Sequence, residues 1–399
     1  MLKLLYDGEQ FSKNPSGRSG IFRVASELLC RLAQRDDVEL TLLVSEKEER
    51  VKAYLAEKGL AEKVKILFIP NLHKTNKISN ILLRSRAAFL TAFLGLRYKK
   101  RLQEFDFFFS PYTAVPPLCY QAGIKTGVIV HDLIPVVRPD FYDAKASFPR
   151  KYAKQLQILE ADTVFFDSIS AQKDFLAFRP DFSSAKTVLN YLAAGELFFQ
   201  VTDEESIAKV REKYNISTGK YILGLSDLNK RKNFPHLLKS FIRFLSDTGR
   251  KDISLVIAGP KRAQYQELTE TIQKFAEFKD QIIVTGFVAD EDLAALYSGA
   301  EVFIFPSLYE GFGLPLLEAM SCGTPVIAAN NSSLPEVAGD AAIYVSGEDE
   351  GETALILTTI CQDEKLRRQM AKNAISRAKM FSWDKTVNVL VENIKKEVD

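Results

Sequence analysis

Two acids, Glu310 and Glu318, bracket a turn, Gly311-Phe312-Gly313-Leu314-Pro315, that follows the apolar run Val302-Phe303-Ile304-Phe305. Gly311 and Gly313 permit a sharp turn with exposed amide hydrogens, and Pro315 suits the first turn of a helix, where an N–H would find no acceptor. Such a helix start attracts anionic oxygens, phosphate above all, through unpaired donors and the helix dipole. An ionised glutamate only accepts hydrogen bonds, so it matches neighbouring hydroxyls on a sugar or a ribose. Amides for phosphate together with acids for a diol describe a nucleotide sugar. Glu310 can equally act as a helix cap that complements the dipole. Glu318 lies in the mostly apolar segment 314–320, where an unpartnered buried acid is costly, so a partner in protein or ligand is implied.

A second cluster, Asn229-Lys230-Arg231-Lys232-Asn233, follows the strand-like run 221–225 and is placed to neutralise a diphosphate. In isolation it would read as a solvated basic turn. Its recurrence above the same expected sheet edge as the glutamate turn favours the ligand role. Gly259-Pro260-Lys261-Arg262 adds weaker support, and Gly286-Phe287-Val288 ends a further strand and offers backbone groups to a base ring, although a simple turn explains its glycine. His131 and Asp132 directly follow Gly127-Val128-Ile129-Val130, at the carboxyl end of a strand, where open α/β sheets bind ligands. A site role is expected for them, with a structural histidine as the alternative. The loop Asn14-Pro15-Ser16-Gly17-Arg18-Ser19-Gly20 combines glycines, a base and a helix start, a weak phosphate signal that a plain surface loop would also give. Asp290-Glu291-Asp292 matches the DxD pattern of metal-bound nucleotide sugars, but it opens a helix and capping explains it better. No metal site is otherwise visible in the sequence.

The elements that must position these residues are βα units. Strand-like runs at 2–6, 38–44, 64–69, 105–109 and 126–130 alternate with helical stretches, and 161–170 looks like a final strand whose polar end opens another helix. A second series runs through 221–225, 255–258, 282–284, 302–305, 326–328 and 341–345. The fold class expected is α/β, with two Rossmann-like doubly wound domains facing across a cleft, residues 1–197 for the acceptor and 198–399 for the donor. A terminal helix near 384–398 carries Val387, Leu390, Val391 and Ile394 on one face and needs a surface, for which the first domain is the candidate.

At 399 residues the chain exceeds what one core usually supports. Its 46% hydrophobic and 26% charged residues and net charge of +2 exclude a disordered or strongly nucleic-acid-like balance. Cys30, Cys119, Cys322 and Cys361 lack CxxC spacing and read as core residues of a reduced protein. The opening residues are too short for a secretory h-region, so a cytoplasmic location is expected. One stretch departs from the even balance: residues 74–103 contain no acid but carry Lys74, Lys77, Arg84, Arg86, Arg97, Lys99, Lys100 and Arg101 around an apolar centre. Its apolar run falls well below the ~20 residues that span a bilayer. It suits a helix lying on an anionic membrane surface at the inner face of the plasma membrane, or a domain helix with one buried and one basic face.

Over essentially its whole length the sequence resembles the retaining glycosyltransferases of family 4, with the GT-B fold. The resemblance is carried by Glu310-Gly311-Phe312-Gly313-Leu314-Pro315 and Glu318 as an E-x7-E motif, by 318–326 and by Pro335-Glu336. The segments Tyr6-Asp7-Gly8, Ser19-Gly20-Ile21-Phe22-Arg23 and His131-Asp132-Leu133-Ile134-Pro135 look like the mannosyltransferase-like branch that builds bacterial surface polysaccharides. This implies a nucleotide-diphospho-sugar donor, with GDP-mannose the first candidate, a lipid-linked or surface glycan acceptor, and no metal or other cofactor. It implies that Glu310 contacts the donor sugar, Glu318 the ribose, and the amides of Phe312, Gly313 and Leu314 the sugar or diphosphate. Lys232 matches the family lysine on the diphosphate, Gly20 the loop glycine near it, and His131 a residue by the anomeric centre. Many members carry an arginine where this chain has Ser226; Arg231 is the candidate to replace its charge. A catalytically silent nucleotide-sugar-binding partner and, further off, a nucleotide-sugar epimerase are the competing readings.

Overall fold

Two wholly parallel sheets organise the chain. The computed structural model describes residues 1–13, 19–70, 72, 98–112, 114–225, 227–260 and 265–399. Residues 14–18, positions 74–97 of the acid-free basic stretch, Ser226 and the Lys261-Arg262 turn lie outside the described residues. The chain divides into one unit of Met1–Val137, Ala144–Leu192 and Trp383–Asp399, and a second of Arg138–Asp143 and Ala193–Ser382.

In the first unit β1 (Leu2–Asp7), β2 (Val38–Val44), β3 (Lys65–Phe68), β4 (Phe107–Ser110), β5 (Lys125–Val130), β6 (Thr163–Phe166) and β7 (Thr187–Leu189) lie in the order β3-β2-β1-β4-β5-β6-β7. In the second, β8 (Lys220–Leu225), β9 (Ile253–Ala258), β10 (Ile282–Gly286), β11 (Val302–Phe305), β12 (Val326–Ala329) and β13 (Ala342–Val345) lie in the order β10-β9-β8-β11-β12-β13. Parallel strands with helices on both faces are buried on both sides, which explains continuous apolar runs such as Phe107-Phe108-Phe109 and Ile253–Ala258, every residue of which is buried. In each order the sequence runs outward in both directions from one neighbouring pair, β1/β4 in the first unit and β8/β11 in the second. Ligand crevices in such sheets open at the carboxyl ends of that pair.

Three features differ from the sequence reading. The strand β7 was not anticipated: it is three residues long and only half-buried, so its pattern is too short to register. The chain leaves the first unit after Leu192, ahead of the expected residue 197, and returns to it at Trp383. The ladder stops where the Asn190 N–H donates to Phe166 O at 2.7 Å, and by Val201 the backbone is bonded to Ser298 Oγ at 3.0 Å, inside the second unit. The segment Arg138–Asp143 also groups with the second unit, which no composition change announces.

The last helix, Trp383–Val398, belongs to the first unit. Val387, Leu390, Val391 and Ile394 are buried there, each such side chain contributing about 1.5–3 kcal/mol. Polar contacts fix its register: Arg31 to Asp384 at 2.7 Å, Lys395 to Asp37 at 2.8 Å, and the Thr386 hydroxyl to Tyr191 O at 2.6 Å. Hydrogen bonds from Arg35 and Lys395 hold the Asp37 carboxyl well below its usual range.

Close packing sets one glycine in β5. A Cβ on Gly127 would stand 2.7 and 2.9 Å from the Phe107 ring and 3.3 Å from that of Phe165. Gly127→Ala is therefore expected to destabilise the protein by about 1–3 kcal/mol, the usual range for an overpacked core. Urea unfolding checks this, and a wild-type midpoint would refute it.

Candidate functional site

The loops that follow β8 and β11 come together because these strands are neighbours in the sheet. After β8 a short 3-10 turn, Lys230–Lys232, leads to Asn233, whose backbone is left-handed (φ 57°) and which precedes the helix Phe234–Thr248. The Asn233 amide donates to Gly347 O at 2.8 Å and to Pro306 O at 3.3 Å, and the Leu308 N–H donates to Arg231 O at 2.8 Å. These bonds tie the basic turn to the loop that carries Glu310.

Lys232 Nζ donates to Glu310 Oε1 at 2.7 Å, while the Arg231 guanidinium donates to Glu310 Oε2 and, at 3.1 Å, to Tyr309 O. Lys232 and Glu310 are each only 6% exposed, and the ammonium lies 4.8 Å from the centre of the Phe305 ring. Burial pushes the Lys232 ammonium down and Arg231 adds to this, leaving it below the usual lysine value despite Glu310. Burial pushes the Glu310 carboxyl up, but Arg231 and Lys232 outweigh it and hold the group below the usual range. Two cations thus meet one carboxylate in a largely dry site. A buried charge without compensation is costly, so the arrangement favours an anionic ligand.

The glutamate turn is braced on its far side. The Glu310 N–H donates to Ser332 Oγ at 2.9 Å, and the Ser333 hydroxyl lies within hydrogen-bonding distance of Glu310 O and Phe312 O, at 3.1 and 2.9 Å. Gly313 takes φ 102°, where a side chain is strained and a Cβ would also lie 2.9 Å from Leu334. The helix Leu314–Ser321 then starts with Pro315 in its first turn and no side-chain cap. Among the described residues the amides of Gly313 and Leu314 meet no protein acceptor. Phe312 is buried and packs edge-on against Phe381, ring centres 6.0 Å apart. Glu318, 5% exposed, accepts from the Tyr297 hydroxyl at 3.2 Å, the protein partner that its apolar setting demanded.

Other expected residues fall elsewhere. Val288 is buried just before the helix Asp290–Ser298. That helix is preceded by Ala289, so its acids are not caps but lie in the first turn, where they complement the dipole. Asp292 accepts from Lys213 at 2.6 Å and from the Tyr214 hydroxyl at 2.7 Å. In the first unit Gly20 opens the helix Gly20–Leu32, capped by the Ser19 hydroxyl accepting from the Phe22 N–H at 3.1 Å, with open space where a Cβ would stand.

His131 follows β5, and both ring nitrogens are committed within the first unit. Nε2 lies 2.9 Å from Pro111 O, after β4, and Nδ1 lies 2.9 Å from Asp167 Oδ2, after β6. A carbonyl only accepts, so Nε2 carries a proton and Nδ1 shares one with the carboxylate. These contacts join three strand ends, β4, β5 and β6, at the carboxyl edge of the sheet. Burial opposes its charge, but Asp167 outweighs burial and raises His131 above its ordinary value. Burial likewise raises the Asp167 carboxyl, to about 6, against the pull of His131. At the β1/β4 pair the Ser110 hydroxyl donates to Asp7 Oδ2 at 2.9 Å. The roles of Asp167, Ser332, Ser333 and Tyr297 were not read from the sequence. An acid ending a strand was the only available signal, at Asp167, and it reads equally as a cap.

Residues 206–377 match the family model of glycosyl transferases group 1. The serotype-specific mannosyltransferase WbdA of Escherichia coli is 30% identical over 270 residues, 67% of this chain and 33% of that protein. The O-antigen chain mannosyltransferase B of Escherichia coli is 35% identical over 175 residues, 44% of this chain and 45% of that protein. The chain therefore spans less than half the length of these curated relatives. Among solved structures, Anabaena HepE in complex with UDP and glucose is similar with a TM-score of 0.71 at 18% identity, over 99% of this chain and 100% of that one. WaaG, a glycosyltransferase involved in lipopolysaccharide biosynthesis, is similar with a TM-score of 0.66 at 14% identity, over 99% of each chain. Residues 206–377 thus match the group 1 glycosyltransferase model, and the chain has the GT-B fold.

The His131–Asp167 pair has a pH signature. The raised value makes the His131 contribution to stability full below pH 6.5 and lost as pH rises through the folded value, while that of Asp167, raised to about 6, is full below 3.8 and lost as pH rises through about 6. In Asp167→Asn, burial is opposed only by the weaker pulls of Pro111 O and Asp132, so the His131 ring should titrate lower than in the wild type and that loss should shrink. An NMR titration of the ring C–H resonances over about pH 5–9 measures this, and an unmoved His131 curve would disprove the coupling.

Proposed function

We propose that the chain is a retaining glycosyltransferase that moves a sugar from a nucleotide-diphospho-sugar to a lipid-linked or surface glycan, with GDP-mannose as the first donor to test. One observation carries the reading: Lys232 and Arg231 converge on a single buried carboxylate, Glu310, at the carboxyl ends of β8 and β11. The uncapped helix start at Gly313-Leu314 belongs to the same loop and adds positive potential. The mannosyltransferase relatives support the choice of sugar.

Departure of a nucleoside diphosphate leaves positive charge on the sugar and builds negative charge on the leaving phosphate. Lys232, Arg231 and the helix amides stabilise the second charge from fixed positions, without the solvent reorganisation that water would need. No metal is required for that task. In a reaction that retains configuration, the acceptor hydroxyl attacks on the face from which the diphosphate leaves, and the phosphate takes its proton. Glu310 and Glu318 bind hydroxyls of the sugar and the ribose. His131, held by Asp167 and Pro111 at the carboxyl edge of the first-unit sheet, is the residue placed by the anomeric centre in this reading. No helix among the described residues is long and apolar enough to cross a membrane. The acid-free stretch 74–103 supports a peripheral placement on an anionic membrane, at the inner face of the plasma membrane.

Thermal unfolding with GDP-, UDP-, dTDP- and ADP-linked sugars, with and without EDTA, tests this directly, since a ligand that binds only the folded state raises its stability. One donor class is expected to stabilise the protein equally in both conditions. Lys232→Ala should weaken that donor about 10- to 100-fold, the loss of a charge-assisted contact. Silence with all four donors, or wild-type affinity in Lys232→Ala, would overturn the proposal.

A further inference from the structure

Glu310 has two incompatible demands on it. Its carboxylate accepts from Lys232 through Oε1 and from Arg231 through Oε2. The same two cations must hold the diphosphate, and the same carboxylate must meet sugar hydroxyls. A carboxylate left facing a diphosphate without those cations would be repelled by it. The Glu310 N–H is bonded to Ser332 and its carbonyl oxygen lies beside the Ser333 hydroxyl, so turning the side chain breaks fewer contacts than moving the loop.

We propose that Glu310 is an internal stand-in for the diphosphate: it neutralises Lys232 and Arg231 until a diphosphate displaces it, and the displacement frees its carboxylate to bind the sugar. The inference rests on the nucleotide-sugar reading above and deepens it. The supply of anionic oxygens favours the exchange in one direction. A single carboxylate is shared between buried Lys232 and half-buried Arg231, whereas a diphosphate offers several anionic oxygens to both and also engages the amides of Gly313 and Leu314. Lys232 keeps its pocket throughout, with its ammonium against the Phe305 ring, and Arg231 stays anchored on Tyr309 O. The sugar subsite is therefore complete only once the diphosphate is in place. A free sugar meets a carboxylate already occupied, and a bound nucleoside diphosphate prepares the glutamate for the sugar's hydroxyls.

The exchange differs from simple repulsion between Glu310 and the ligand in what a charge-retaining variant does. Calorimetric titration of the wild type, Glu310→Gln and Glu310→Asp with GDP, UDP, dTDP and ADP in turn separates them, with thermal unfolding of each variant run alongside. Glu310→Gln removes the competitor. Glu310→Asp keeps the charge but is one methylene too short to span both cations. Both variants should bind the accepted diphosphate about tenfold more tightly, since a charge-assisted contact no longer has to be broken, while transferring sugar more slowly. Tightening in Glu310→Gln alone would mean bulk charge and overturn the exchange, as would no tightening in either. If Glu310→Gln fails to fold, the Glu310→Asp result decides. If the wild type binds none of the four diphosphates, it is the nucleotide-sugar reading that fails.

Discussion

One buried carboxylate shared by two cations organises the second unit: Glu310 meets Lys232 and Arg231 where β8 and β11 end side by side. The residues that pair are 78 and 79 positions apart and meet only because the sheet order makes those strands neighbours. Everything near them serves to keep the shared carboxylate in place. Asn233 takes a left-handed backbone to aim the basic turn, Gly313 does the same for the helix start, and Ser332 and Ser333 flank the glutamate loop. Removing any of these would let water or a rotated side chain relieve the charge.

The first unit uses the same architecture to the opposite electrostatic end. At its carboxyl edge the acids are answered internally: Asp7 by the Ser110 hydroxyl and the Glu9 N–H, Asp167 by the His131 ring. Fold alone would not distinguish the two sheets; their edge residues do.

Most of the fold was legible because parallel strands buried on both faces write themselves as short apolar runs, and β1, β2, β5, β8 and β11 lie where such runs occur. The strand β7 was not, because three half-buried residues carry no such pattern. The glutamate turn and the basic turn were each legible as phosphate and hydroxyl chemistry, since local spacing defines a helix start. Their contact with each other was not, and neither was the coupling of His131 to Asp167, 36 positions away. Long-range pairing depends on strand order, which periodicity does not encode. The histidine shows that gap: its place at the sheet edge was legible, but its contacts to Asp167 and Pro111 were not.

The helix Trp383–Val398 carries a further consequence, for how the protein is made. Its apolar face completes the first unit, yet residues 193–382 separate it from the rest of that unit's core. During synthesis from the amino terminus, the first sheet emerges long before the helix that covers it. The second unit, contiguous apart from the short segment Arg138–Asp143, has almost all of its chain available earlier. The order of translation is thus the reverse of the order of completion: the unit begun first is finished last, and until then its unfilled apolar surface is the natural substrate for a chaperone.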